Sequence, residues 1–241
     1  LNYSKSVSVL SDASSRALGC LVSKYFAQGF MTYDTYTHIY NCTVTPVMDY
    51  ACGVWGSKVY SCCEQVQNKA TRTFLGVGKY SPLPAINGEM GWLPPFIRHN
   101  VGLLKLWNRL VYMPEERLTK KVFIYDHSKA MDGVKSWCSE VQTILKLCNC
   151  DLPWSRREPV NIHDVKEKLL QMYVNNWQKK LLEMPKLRLY KEIKHCYEPE
   201  GYVNANLTRK QRSVFARLRI GTFPIEIELG RYKKKSVEER L

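Results

Sequence analysis

The side chains with chemical potential are nine cysteines, five histidines, seven aspartates and a large excess of cations. The cysteines stand at 20, 42, 52, 62, 63, 138, 148, 150 and 196, an odd number at irregular spacing. Adjacent thiols such as Cys62-Cys63 rarely bridge each other, so the pattern is no disulfide framework. Zinc needs four ligands, and Cys148-x-Cys150 offers two with no second pair at useful spacing. Cys62-Cys63 sits at a helix start, where thiolates are favoured, yet packing is the better reading. His195-Cys196, the one His/Cys neighbour pair, reads as a half-buried helix pair. Two-metal phosphoryl transfer needs carboxylates converging on ions about 4 Å apart. The aspartates, at 12, 34, 49, 126, 132, 151 and 164, include no adjacent pair. No P-loop, G-x-S-x-G or H-E-x-x-H occurs. The expectation is a chain with no catalytic residue, no metal ligands and no cofactor of its own.

The cations carry more. Thirty-six Lys and Arg against 22 Asp and Glu leave +14, which calls for a polyanion: nucleic acid first, a membrane surface second. Arg209, Lys210, Arg212, Arg217 and Arg219 fall within eleven residues, and Arg231 with Lys233, Lys234 and Lys235 follows. Lys58, Lys69 and Arg72 flank one helix, and Arg98, Lys105 and Arg109 stripe another. A solvated helix face competes with a phosphate track for each stripe. The last cluster, dense in base and poor in acid, is the best phosphate candidate. Trp92 and Trp154, in proline-bearing loops, are the tryptophans able to stack a base. The other four read as core.

The elements that must position these residues are helical almost throughout. Val7, Leu10, Ala17, Leu18, Leu21, Val22 and Tyr25 mark one face of a long first helix. Asp34 can cap a second, with a kink or fresh start at Pro46. Helices are expected near 61–75, 97–113, 133–149, 162–183 (capped by Asn161), 186–197 and 207–221. In the last, Leu207, Val214 and Leu218 point inward, which leaves Arg209, Arg212 and Arg219 together on the outside. Residues 79–96 and 151–160 read as proline-rich loops, the first with one turn of helix at most. Ile225-x-Ile227-x-Leu229 is the only strand candidate. The expected class is all-α.

At 241 residues and 45% hydrophobic, the chain can bury a core without staples. No apolar run approaches about 18 residues, so no membrane span is expected. The opening LNYSKSVSVL has neither Met nor a basic-then-apolar leader, and reads as the continuation of a longer chain. Free thiols point to a reducing interior, cytoplasm or nucleus. The sequons at Asn2, Asn41 and Asn206 are then chance matches. Charge suggests a division into 1–150, net +6, and a more basic 151–241, net +8.

Specific strings go further than periodicity. SSRALGCLVSK at 14–24 resembles the thumb helix that follows the palm in non-LTR (LINE-type) retrotransposon reverse transcriptases. TPVMDYACGVWG at 45–56 is similar to that family's P-V-x-x-Y-G-x-x-x-W-G signature, with Cys52 standing where Gly is usual. CEQVQNKATRTFLGVGKYSP at 63–82, INGEMGWLPPFIR at 86–98 and LLKLWNRLVYMPEERLTKKVF at 103–123 continue the likeness in order. RSVFARLRIGTFPIEIELGRY at 212–232 resembles the block before the family's cysteine-rich knuckle.

The resemblance implies a thumb-like region with a helical connector over 1–150 and a basic helical region over 151–241. The palm with its paired aspartates, the endonuclease and the knuckle are not among these residues. The parent would be an RNA-directed DNA polymerase using a divalent metal, and this portion would not catalyse. A thumb holds a template–primer hybrid through phosphates and sugars. RNA, DNA and the remainder of the reverse transcriptase are therefore the expected partners. Arg16 and Lys24 in the first helix, and Lys69 and Arg72 in the next block, join Arg209, Lys210, Arg212, Arg217 and Arg219 as nucleic-acid candidates. The rival expectation is a retrotransposon relic serving as a protein scaffold.

Overall fold

The computed structural model describes residues 2–224, and every regular element there is helical, so the fold is all-α. The expected strand at 225–229 and the cations Arg231 and Lys233 to Lys235 lie outside the described residues. The helices are α1 (Ser4–Gln28), α2 (Tyr33–Thr43), α3 (Thr45–Met48), α4 (Cys52–Trp55), α5 (Ser61–Leu75), α6 (Leu83–Met90) and α7 (Pro95–Val111). They continue with α8 (Leu118–Met131), α9 (Trp137–Leu147), α10 (Leu152–Arg156) and α11 (Ile162–Glu183). A 3-10 turn at Pro185–Leu187 then leads to α12 (Arg188–Ile193), α13 (Gly201–Asn204) and α14 (Arg209–Arg219).

Several local expectations change. Thr32, not Asp34, caps α2: its hydroxyl accepts from the Thr35 N–H, and Asp34 lies inside the first turn. The 79–96 segment holds two turns of helix, α6, because Pro84 sits in its first turn, where a missing N–H costs nothing. Gly91, at φ 61°, then ends it. The supposed connector 151–160 contains α10. Helix α8 gave no one-sided signal because apolar residues stand on both its buried and its exposed side, among Lys120, Lys121, Asp126 and Lys129. Phe123, His127 and Ala130 face inward, while Leu118, Val122 and Tyr125 face solvent. Counted from Pro46, the sixth position of the signature, its glycine, is Ala51 and not Cys52, and the left-handed backbone of the 45–56 stretch also falls at Ala51 (φ 53°). His195 and Cys196 are exposed and lie beyond α12, not on a half-buried helix face.

The chain forms two compact units, each assembled from three stretches and so coinciding with neither 1–150 nor 151–241. The first takes the residues up to Asp12, Pro46–Glu64 and Leu93–Tyr173. Its core is built around α7, whose Ile97, Leu103, Leu104, Trp107 and Leu110 pack with Phe123, Val141, Ile144, Leu145, Trp154 and Leu169. Indole N–H groups are satisfied on backbone carbonyls: Trp107 on Glu158 (3.0 Å), Trp137 on Gly53 (2.9 Å) and Trp154 on Cys138 (2.8 Å). Asp49 pins the 48–50 turn to α7, accepting from Arg98 Nε at 2.9 Å and from His99 Nε2 at 3.0 Å. A carboxylate only accepts, so Nε2 carries the His99 proton there. Burial pushes the Asp49 carboxyl up, but the His99 hydrogen bond and the Arg98 guanidinium overcome it and leave its pKa below 3.8.

The second unit takes Ala13–Thr45, Gln65–Trp92 and the described residues from Val174 on. Its core is aromatic, and five of the aromatic polar tips end on main-chain carbonyls. Tyr25 donates to Phe74 O (3.2 Å), Tyr36 to Ala70 O (3.0 Å), Tyr33 to Met90 O (2.7 Å) and Tyr190 to Ala85 O (3.0 Å). Trp177 donates to Pro84 O at 2.7 Å. Phe74 and Met90 are among the last residues of α5 and α6, whose carbonyls have no intrahelical N–H. The Tyr25 and Tyr33 hydroxyls thus satisfy groups that would be costly to bury unpaired, while the other three bonds add a second donor to carbonyls within the helices.

Candidate nucleic-acid interface

All nine candidate cations fall in the second unit, although they come from three separated stretches. Its described residues hold 16 Lys and Arg against 6 Asp and Glu, whereas those of the first hold 15 against 12. The charge surplus therefore follows the three-dimensional unit. In the first unit Lys58 sits 3.9 Å from Glu140 and Arg98 is spent on Asp49, which leaves Lys105 and Arg109 exposed on α7.

Arg16 and Lys24 are exposed on α1, Lys69 on α5 and Lys210 on α14. None makes an ion pair with the described residues. Arg72, one turn beyond Lys69, is half-buried. Its Nε is shut off from solvent without an acceptor, and burial pulls its pKa down. The buried Nε itself is closed to a ligand, so only the exposed part of the Arg72 guanidinium can meet a phosphate oxygen.

Helix α14 is turned over relative to expectation. Thr208 and Gln211 form a capping box at its start. Arg212, 1% exposed, points into the core with Ala216 and Ile220, at a spacing of four. Val214, Phe215 and Leu218 face outward. The Arg212 guanidinium donates to Tyr25 Oη (3.0 Å), Leu207 O (3.1 Å) and Met31 O (3.4 Å), and lies 4.0 Å from the Phe74 ring centre. Its Nε has no acceptor, but at 1% exposure the guanidinium is closed to a phosphate. Arg219 is also committed: it pairs with Glu89, fully buried, at 3.2 Å and with Glu200 at 3.0 Å. Lys194 binds Glu200 at 2.6 Å and closes a four-charge network. Burial raises the Glu89 carboxyl, and the Tyr202 hydroxyl and Arg219 pull it only part of the way back. So of the expected row Arg209, Arg212 and Arg219, only Arg209 remains available. Arg217 is half-buried, its guanidinium 5.6 Å from the Phe223 ring centre.

Neither loop tryptophan can stack a base. Trp92 is buried against Tyr40 (4.5 Å between ring centres), and its N–H goes to Thr37. Trp154 is buried beneath His127 at 4.7 Å. The available aromatic was missed. Phe26, 48% exposed on α1, lies 4.4 Å beneath the guanidinium of Arg209. Residues 26 and 209 carry no local signal of their meeting. The Arg212, Ala216, Ile220 spacing did offer a hint of the buried face.

All nine cysteines are free thiols. Burial pushes the Cys52 thiol up to about 11 and raises Cys63 and Cys138 further. Among the described residues no group of three His, Cys, Asp or Glu is placed to hold a metal, and no helix is long and apolar enough to cross a membrane. A shallow open cleft of about 560 Å³ is lined by Asp34, Thr35, Thr37, His38 and Asn41, with none of the candidate cations among them. No protein-family profile, no curated protein and no solved structure matches the chain at a significant level.

Proposed function

We propose that this chain is a non-catalytic, helical nucleic-acid-binding portion of a LINE-type reverse transcriptase that grips template–primer through phosphates. The observation that carries the reading is the charge of the second unit, 16 Lys and Arg against 6 Asp and Glu among its described residues, with Arg16, Lys24, Lys69 and Lys210 exposed and in no ion pair with the described residues. The ordered sequence blocks support it. Arg16, Lys24, Lys69, Arg72, Arg209 and Lys210 are the contacts, with Arg217 at the margin. The parent polymerase works with a divalent metal and the remainder of its chain, in a reducing cytoplasm or nucleus where nine free thiols persist. The test is fluorescence anisotropy with an RNA–DNA hybrid across a salt series. The logarithm of affinity should fall linearly with log salt, and Arg72→Gln should flatten the slope by about 0.9. No binding at low salt, or a salt-independent affinity, would remove the proposal.

A second reading, a protein scaffold descended from such an element, is favoured by one observation. Leu118, Val122 and Tyr125 form an exposed apolar stripe along α8. Failure of hybrid binding at low salt, with self-association or partner binding lost on Val122→Asp, would make it the leading reading.

A further inference from the structure

The stack of Arg209 on Phe26 has a consequence for which nucleic acid binds. Phe26 is half exposed, 48%, on a backbone anchored by its neighbour Tyr25, which is buried and bonded to Phe74 O and to the Arg212 guanidinium. Tyr25 and Phe26 themselves touch ring to ring at 5.8 Å. Arg209 is the first residue of α14, and the Thr208–Gln211 capping box fixes the start of that helix. Two flat groups from separate helices are thus held 4.4 Å apart, and Arg209 makes no ion pair with the described residues. Lys210, exposed and likewise unpaired, is adjacent to Arg209. Just past the end of α1, beyond Gly29 at φ 68°, Phe30 is also exposed.

A planar cation over an aromatic ring with open surface is a stacking platform beside a phosphate-binding charge. Every nucleobase has a π face, but only an unpaired base can present it. A duplex has its bases stacked inside and offers only phosphates and groove edges.

We infer that Phe26 and Arg209 form a subsite for an unpaired nucleobase, so that this surface selects single-stranded nucleic acid or a single-stranded overhang. The inference rests on the nucleic-acid reading above and deepens it. The base stacks on the guanidinium–ring pair, and Lys210 takes a neighbouring phosphate. No covalent step is involved.

The experiment compares three labelled probes on the whole chain: an RNA of about twelve nucleotides, the same backbone without bases, and the RNA–DNA hybrid. Phe26→Leu keeps the apolar bulk and removes the π face. It should weaken binding of the RNA by about 5- to 150-fold while leaving the abasic strand, the hybrid and the salt slope unchanged. Phe26→Tyr should restore affinity for the RNA. Arg209→Lys, which keeps the charge and loses the plane, should weaken binding of the RNA more than binding of the abasic strand. Circular dichroism and melting confirm that each variant folds, as expected for half-exposed sites. If Phe26→Leu weakens all three probes equally, or none, the base subsite is overturned while phosphate binding stands. If the parent chain binds no probe at low salt, phosphate binding and the subsite fall together.

Discussion

Arg212→Gln separates a structural arginine from a ligand-binding one. Its guanidinium makes two good hydrogen bonds, to Tyr25 Oη at 3.0 Å and Leu207 O at 3.1 Å, and a longer one to Met31 O at 3.4 Å. Hydrogen bonds to a charged group contribute about 1.5–3 kcal/mol each, and the contact with Phe74 at 4.0 Å adds about 1–2 kcal/mol. Against this, the cation is desolvated and has no carboxylate partner, and burial lowers its pKa. Removing the charge relieves several kcal/mol of that penalty. Glutamine is too short to span the same acceptors, so carbonyls of Leu207 and Met31 lose their donor. The balance is a loss of about 2–4 kcal/mol, or about 5–15 °C in Tm for a chain of this size. Scanning calorimetry should record that drop for Arg212→Gln, whereas Arg209→Gln should cost under about 1 kcal/mol. An Arg212→Gln protein that melts within about 2 °C of the parent, yet flattens the salt slope by about 0.9, would refute the buried placement and return Arg212 to the phosphates.

The same geometry makes further predictions. Arg209→Gln alone should flatten the salt slope by about 0.9, and adding Arg219→Gln should flatten it no further, since Arg219 is held by Glu89 and Glu200. Asp49 has a folded pKa below its ordinary value, so its contribution is present above about pH 4 and is lost as pH falls through the folded value. Urea midpoints measured from about pH 6 to pH 3 should decline less steeply for Asp49→Asn than for the parent. Glu89, raised by burial, acts in the opposite sense, its contribution fading as pH rises through its folded value. Gly88→Ala should destabilise by about 1–3 kcal/mol, because the added Cβ would lie 2.6 Å from Trp177 Cζ2 and 2.7 Å from Tyr190 Oη. Ala51→Gly should be neutral or raise stability by up to about 1 kcal/mol, since it relieves a left-handed residue; a lower melting temperature would contradict the φ of 53°. In a thiol titration of the native protein, Cys20, Cys42 and Cys196 should react fast and Cys52, Cys63, Cys138 and Cys148 only after unfolding.

Helical class, the long helices α1, α5, α7 and α11, the Asn161 cap and the overall positive charge were all determined by the amino-acid sequence alone. Each rests on a local cause: apolar spacing, a capping side chain or a sum of charges. Asn161 shows the local kind well, its Oδ1 accepting from the His163 and Asp164 N–H groups at 3.1 and 3.4 Å. Helix α8 escaped because period detection needs one apolar face, and α8 has two. Only the tertiary structure decided which face of α14 is buried. Val214, Phe215, Ala216 and Leu218 share that helix with five cations, and periodicity assigns the apolar stripe inward by default. The core met by α14 instead supplies a tyrosine hydroxyl, two unsatisfied carbonyls and a phenyl face, a set that suits a guanidinium better than a leucine. Leu207 is local to Arg212, but Tyr25, Met31 and Phe74 come from parts of the chain that only the fold brings to it. Whether an arginine is a ligand-binding group or a core strut depends on what lies opposite its tip, and that is information the local sequence does not carry.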